Sequence, residues 1–154
     1  MTKHFRTLKA DVWLPHRFAV GHTFELFYDG LKGAKLFGNR CSQCNRVFVP
    51  PRSFCPDCYK DITEWRELPQ EGRIVSWTVA AQEYYGAPHS PPFIIALIRL
   101  DSADTDFIHF LGGVDGADLD AVRRSVRIGD RVKAVWQEVR TGSLKDLKWF
   151  ELNA

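Results

Sequence analysis

The sequence predicts a mainly β protein in three parts. These are an N-terminal helical arm over residues 1–35, a metal-bound ribbon over 36–66 and a five-stranded β-barrel over 67–154. Two observations carry the prediction. All four cysteines fall in one pattern, Cys41-Ser42-Gln43-Cys44, ten residues, then Cys55-Pro56-Asp57-Cys58. From Arg73 onward the chain breaks into five apolar runs of strand length, separated by turns rich in Gly, Asp and Pro.

Composition narrows the class. A chain of 154 residues suits one ordinary domain or two small ones. Its 21 basic and 19 acidic residues nearly cancel, so the chain as a whole is not an electrostatic nucleic-acid binder. No apolar run approaches the roughly 18 residues that would span a bilayer. Met1 to Ala10 lacks the apolar core of a signal peptide. Thiols paired as metal ligands fit a reducing compartment better than a disulfide framework does. The expectation is a cytoplasmic protein with no membrane partner.

Residues 1–21 show no clean period. Large apolar groups such as Phe5, Trp13 and Phe18 are scattered among bases, as in a loosely packed arm or one that lies on a partner. From Thr23 a helical stripe begins: Phe24, Phe27, Tyr28 and Leu31 share one face. Thr23 is the expected N-cap and Gly33 the expected stop. Gly30 inside the helix costs about 1 kcal/mol relative to alanine, which points to close packing there or an early end.

In the ribbon, two CxxC hooks give four thiolates, and the spacer lets the hooks face each other. Tetrahedral zinc accepts that set and leaves no open position in a structural site. Rubredoxin-like iron uses the same ligands, so iron in place of zinc stays open. The residue after each knuckle needs positive φ; Asn45 tolerates this better than Tyr59, so the second knuckle is expected to be irregular. Val47-Phe48-Val49 reads as a short strand stopped by Pro50-Pro51. A module of about 30 residues buries too little surface to fold alone, and the metal supplies the remainder. Between residues 31 and 60, Lys32, Lys35, Arg40, Arg46, Arg52 and Lys60 face one acid, Asp57. That excess either compensates the charge of about −2 on zinc with four thiolates or makes a surface for phosphates.

Pro69 to Gly72 reads as a linker turn. Arg73–Ala81 alternates, with Val75, Trp77 and Val79 on one face. Pro92–Leu100 is almost continuously apolar, as in a strand covered on both faces. Phe107–Leu111 follows, ended by Gly112-Gly113. Asp118 is placed to cap a short helix through Leu119, Val122 and Val126. Arg127-Ile128-Gly129-Asp130 turns into a fourth strand with Val132, Ala134 and Trp136. Thr141-Gly142-Ser143 leads to a fifth, Leu144–Leu152. Five strands with a short helix between the third and fourth match the order of an OB-type barrel. Trp77 and Trp136 belong to its core.

These residues resemble a known family. Phe27-Tyr28-Asp29-Gly30-Leu31, Arg40-Cys41-Ser42-Gln43-Cys44, Val49-Pro50-Pro51-Arg52, Cys55-Pro56-Asp57-Cys58 and Gly72-Arg73-Ile74-Val75-Ser76-Trp77-Thr78 carry the likeness. The family is that of acyl-CoA-associated OB-fold proteins with an N-terminal rubredoxin-like zinc ribbon, long classed as a domain of unknown function. The resemblance runs from about residue 22 to the end. Asn45 and Tyr59 depart from it, since glycine is usual after each knuckle. It implies a non-catalytic, zinc-binding subunit that completes a thiolase-type or related acyl-CoA enzyme and helps to enclose the CoA substrate.

Catalysis by the chain itself finds no candidate residue. Acyl transfer of the thiolase type needs a free thiolate, and all four thiols are committed to metal. No GxSxG, P-loop or GxGxxG element stands in the right context. Of the five histidines, His109 lies in a strand and reads as packed or exposed rather than as a base. His89 lies in the loop Tyr84–Pro92 between the first two barrel strands, which in OB folds often meets ligands. That loop is either a plain Pro-rich turn or a contact surface. The residues expected to touch CoA or the partner are Lys35, Arg46, Arg52, Tyr84, Tyr85 and His89. Two other functions stay open: a single-stranded nucleic-acid-binding module, and a redox protein with iron on the four cysteines.

Overall fold

A computed structural model describes residues 17, 19–83 and 89–153. Among the described residues the chain is mainly β, as expected, with a ribbon sheet, a five-stranded barrel and two α-helices. The arm residues 1–16 and the loop residues Tyr84 and Tyr85 lie outside the described residues.

Helix α1 spans Gly21–Lys32, beginning three residues before Phe24, the first residue of the aromatic stripe. Val20 precedes it without a side-chain cap. Thr23, the expected cap, instead pairs its hydroxyl with Ser53 Oγ at 3.1 Å, tying the helix to the ribbon. Phe27 and Leu31 are fully buried, while Phe24 is exposed. Gly30 marks close packing: a Cβ there would stand 2.3 Å from the Phe37 ring. The C-terminus is held from far along the chain, because Arg140 Nε donates to the Lys32 carbonyl at 3.0 Å.

The ribbon sheet has the order β2-β1-β3, with β1 at Leu36–Arg40, β2 at Val47–Phe48 and β3 at Glu64–Leu68. β1 pairs antiparallel with both neighbours. The free edge of β2 is covered by the barrel. Asp104 accepts from the Val47 N–H at 2.8 Å, and the Thr105 hydroxyl accepts from the Val49 N–H and donates to the Val49 carbonyl. Pairing these backbone groups removes an open edge that would otherwise recruit another strand.

The barrel closes in the order β4-β5-β6-β8-β7. β4 is Glu71–Ala80, β5 Phe93–Leu100, β6 Phe107–Leu111, β7 Arg131–Trp136 and β8 Leu147–Leu152. α2, Leu119–Ser125, lies between β6 and β7; the Asp118 carboxylate accepts from the N–H groups of Asp120 and Ala121, the expected cap.

Three sequence expectations need correction here. Val75 does not share a face with Trp77 and Val79. A bulge between Ile74 and Ser76 adds a residue, so Ile74 is buried and Val75 only half-buried. β5 is not covered on both faces: Ile94, Ala96, Ile98 and Leu100 are buried, but Leu97 is exposed. The fifth strand begins at Leu147 rather than Leu144. The residues Leu144–Asp146 form a single 3-10 turn instead. The buried Asp146 carboxylate causes this, because it gathers the N–H groups of Thr141, Gly142 and Ser143. Burial works to raise its pKa, and those three donors outweigh burial and hold it below the ordinary carboxylate value.

One apolar core runs through all three parts. It joins Phe27 and Leu31 of α1, Leu36, Val47 and Leu68 of the ribbon, and Ile74, Ile98, Phe107 and Phe150 of the barrel. Trp77 and Trp136 pack against it half-buried, and Trp136 Nε1 donates to Gln70 Oε1 at 2.7 Å. A second, small cluster consists of Cys41, Phe48, Cys55 and Ile62, in the ribbon alone.

Candidate metal centre

The two CxxC hooks are built alike. In the first, the Cys41 N–H donates to the Arg46 carbonyl and the Asn45 N–H to the Cys41 carbonyl, both at 2.9 Å. In the second, the Cys55 N–H donates to the Lys60 carbonyl at 2.8 Å and the Tyr59 N–H to the Cys55 carbonyl at 2.9 Å. Asn45 has φ 62° and Tyr59 φ 54°. The second knuckle is therefore as regular as the first, contrary to expectation: Tyr59 accepts the left-handed conformation and leaves its ring in solvent.

The four Sγ atoms converge within 4.8 Å of one another, and Cys44 and Cys55 sulfurs are 3.7 Å apart. Tetrahedral zinc with Zn–S bonds of about 2.3 Å requires sulfurs about 3.8 Å apart. The residues present thus fit a zinc ion with four thiolate ligands. Cys41 and Cys55 are buried and the other two half-buried. The thiol of Cys41 is lowered to about 7, chiefly by the N–H of Cys44, against the opposing effect of burial. Burial, then the neighbouring sulfurs, pushes Cys58 up to about 12. A divalent cation would resolve this crowding by taking all four as thiolates.

Around the centre, Arg46 pairs with Asp57 across the two knuckles. Its guanidinium and that of Arg52 lie 5.3 and 5.7 Å from the centre of the Phe48 ring. Asn39, fully buried on β1, donates from Nδ2 to the Arg52 carbonyl at 2.6 Å and accepts from the Arg52 N–H. It fixes the segment entering the second knuckle, a role the sequence reading did not assign.

The bases of the ribbon are more fully neutralised than residues 31–60 suggested. Lys35 pairs with Glu67 at 2.8 Å and Arg40 with Glu64 at 3.1 Å. Both acids lie on β3, just past that window. Arg52 is exposed. His89 lies at the barrel, with its ring edge-on to Phe110 at 4.6 Å. The structure thus separates the named contact residues into two groups, Lys35, Arg46 and Arg52 on the ribbon and His89 on the barrel. His109 is buried, stacked on Phe107 at 5.7 Å, and burial lowers its pKa to about 4. No described helix is long and apolar enough to cross a membrane.

Fold and site together define a zinc-ribbon, OB-fold protein. Residues 30–64 match the family described as the ChsH2 rubredoxin-like zinc ribbon domain, and residues 65–137 that described as the ChsH2 C-terminal OB-fold domain. A DUF35 domain-containing scaffold protein of Methanothermobacter thermautotrophicus is 30% identical over 106 residues, covering 68% of this chain and 74% of that protein. A protein of the same description from Methanocaldococcus jannaschii is 28% identical over 107 residues, 68% of this chain and 70% of that protein. The chain belongs to the DUF35 family of ChsH2-like proteins.

Solved structures agree. A DUF35-family protein of unknown function from Sulfolobus solfataricus superposes with a TM-score of 0.63 at 27% identity, covering 86% of this chain and 87% of that one. A chain of the Ltp2-ChsH2(DUF35) aldolase gives 0.65 at 23% identity, covering 88% and 98%, a likeness of fold.

Proposed function

We propose that the chain is a non-catalytic accessory subunit of a thiolase-type acyl-CoA enzyme, which it stabilises and whose CoA substrate it helps to enclose. The observation that carries this reading is the convergence of every cysteine of the chain on one closed centre. Four ligands from the protein leave no open position for substrate on the metal and no free thiolate to receive an acyl group. The role left to zinc is to fold the ribbon and hold α1 and β2 against the barrel.

The scaffold description of the archaeal relatives supports an assembling role, as does the aldolase named with a DUF35 chain. In this reading Arg52, with Arg46 on the same Phe48 ring and Lys35 elsewhere on the ribbon, faces the partner or the phosphates of CoA. Tyr84, Tyr85 and His89 supply a second contact at the barrel. The ribbon bases Lys35 and Arg46 are ion-paired already, so Arg52 is the base free to form a new contact at least cost.

Co-expression with a candidate thiolase-like protein from the same source tests the assembly. The two chains are expected to elute as one species through affinity and size-exclusion steps, and Arg52→Glu to weaken that association. Separate elution of the native chains would refute the proposal. A salt-dependent complex with single-stranded DNA instead would favour the nucleic-acid reading.

A further inference from the structure

We infer that a cavity on the barrel's second and third strands binds a small apolar acid, a molecule with a hydrocarbon or aryl body and one anionic group. The cavity has a volume of about 460 Å³. It opens where the barrel wall is thinnest: β6 and β8 meet through one residue pair, Leu111 and Phe150, and no pair joins them on the Ile108 and Leu147 side. Its walls include Ile95, Ile108, Phe110 and Leu147. Ile108 is 62% exposed in mid-strand, an isoleucine that folding alone leaves uncovered.

Charge selects the kind of occupant. Lys145 and Lys148 line the cavity, and none of its described lining residues is acidic. Neither lysine has an acid within ion-pair distance among the described residues, and the Lys148 ammonium rests 4.0 Å over the Trp149 ring. An anionic group is therefore the complement to this rim. His109 lines the cavity and is 9% exposed; its Nε2 lies 3.4 Å from the Leu144 carbonyl. Its Nδ1 is buried without a hydrogen-bond partner among the described residues.

Size and place agree. Pockets of roughly 300–1,000 Å³ enclose small ligands. The cavity lies between His89, which follows the first barrel strand, and Leu144 and Lys145, which follow the fourth, a place where OB barrels meet ligands. A nucleic-acid platform would present a basic track along exposed stacking aromatics; here the walls are mostly aliphatic. The described lining residues all belong to this chain, so the test needs no partner, and failure of the test would leave the accessory-subunit reading standing.

The experiment titrates the zinc-loaded full chain with decanoate, with decanol and with a short oligothymidylate, by calorimetry and amide NMR. Decanoate is expected to bind and to shift the amides of Ile108 and Lys145. Ile108→Glu, at an exposed position that spares the core, should weaken decanoate at least about tenfold. Lys145→Gln should weaken it roughly three- to tenfold and leave decanol unchanged. Absence of decanoate binding at about 1 mM would overturn the inference. So would affinity unchanged by Ile108→Glu, or tighter binding of oligothymidylate at the same amides.

Discussion

Tyr59 holds φ 54° with its ring 83% exposed, so it bears left-handed strain and gains little from burial. Glycine carries no such strain, and Tyr59→Gly should stabilise the zinc-loaded protein by about 1 kcal/mol in chemical denaturation. Gly30 is the opposite case. Alanine there would drive into the Phe37 ring, and Gly30→Ala should cost about 1–3 kcal/mol by the same measurement. Both positions were legible in the sequence as anomalies, a glycine within a helix and a tyrosine where glycine is usual. Only at Gly30 did the anomaly predict the right consequence. At Tyr59 the backbone hydrogen bonds of the knuckle and the metal behind them override a local preference worth about 1–2 kcal/mol.

His109 gives a pH dependence with a definite sign. Its folded pKa, about 4, lies below the ordinary value near 6.5, because burial disfavours the imidazolium. The unfolded chain therefore binds the extra proton first. The stability from a neutral His109 is fully present above about pH 6.5 and is lost as pH falls toward the folded pKa of about 4. His109→Phe should flatten the stability profile over that interval, by up to about 3 kcal/mol at its acid end. Equal slopes for the two proteins in denaturation series between those pH values would contradict this assignment. The surroundings of His109 were not legible, because Leu144 and Phe150, which enclose it, are distant in sequence.

At the scale of elements, the ribbon depends on its metal. Its own cluster is Cys41, Phe48, Cys55 and Ile62, too few side chains to hold three short strands. Chelation, or Cys41→Ser, should melt β1, β2 and β3 and release α1, seen as loss of dispersion for their amides in NMR. Metal analysis should return one zinc per chain and no iron. A Cys41→Ser protein with a native ribbon spectrum would contradict the structural role given to zinc. The cysteine pattern fixed this element because four ligands at set spacing admit few geometries. β3 escaped notice for a physical reason. Glu64, Trp65, Arg66 and Glu67 are mostly charged, and they form a strand because β1 offers its edge, not through an apolar period. Missing β3 meant missing the acids that neutralise Lys35 and Arg40. The barrel strands were legible in number and order. The bulge in β4 and the turn gathered by Asp146 were not, since each depends on partners the local pattern does not contain.

For the whole molecule, one continuous core joins α1, the ribbon and the barrel, and the contacts proposed above fall on two faces of it. One is the ribbon surface around Arg52. The other is the barrel surface at His89 and the cavity beside it. In the proposed reading, the four converging thiols serve to fold the ribbon and these surfaces serve assembly. The most direct measurement is acyl-CoA turnover by a candidate thiolase-like partner, the class proposed above, assayed alone, with this chain, and with the Cys41→Ser form. The account predicts no turnover by this chain alone, activity in the native pair well above that of the thiolase-like protein alone, and loss of that gain with Cys41→Ser. Full activity without this chain, or acyl transfer by this chain alone, would contradict it.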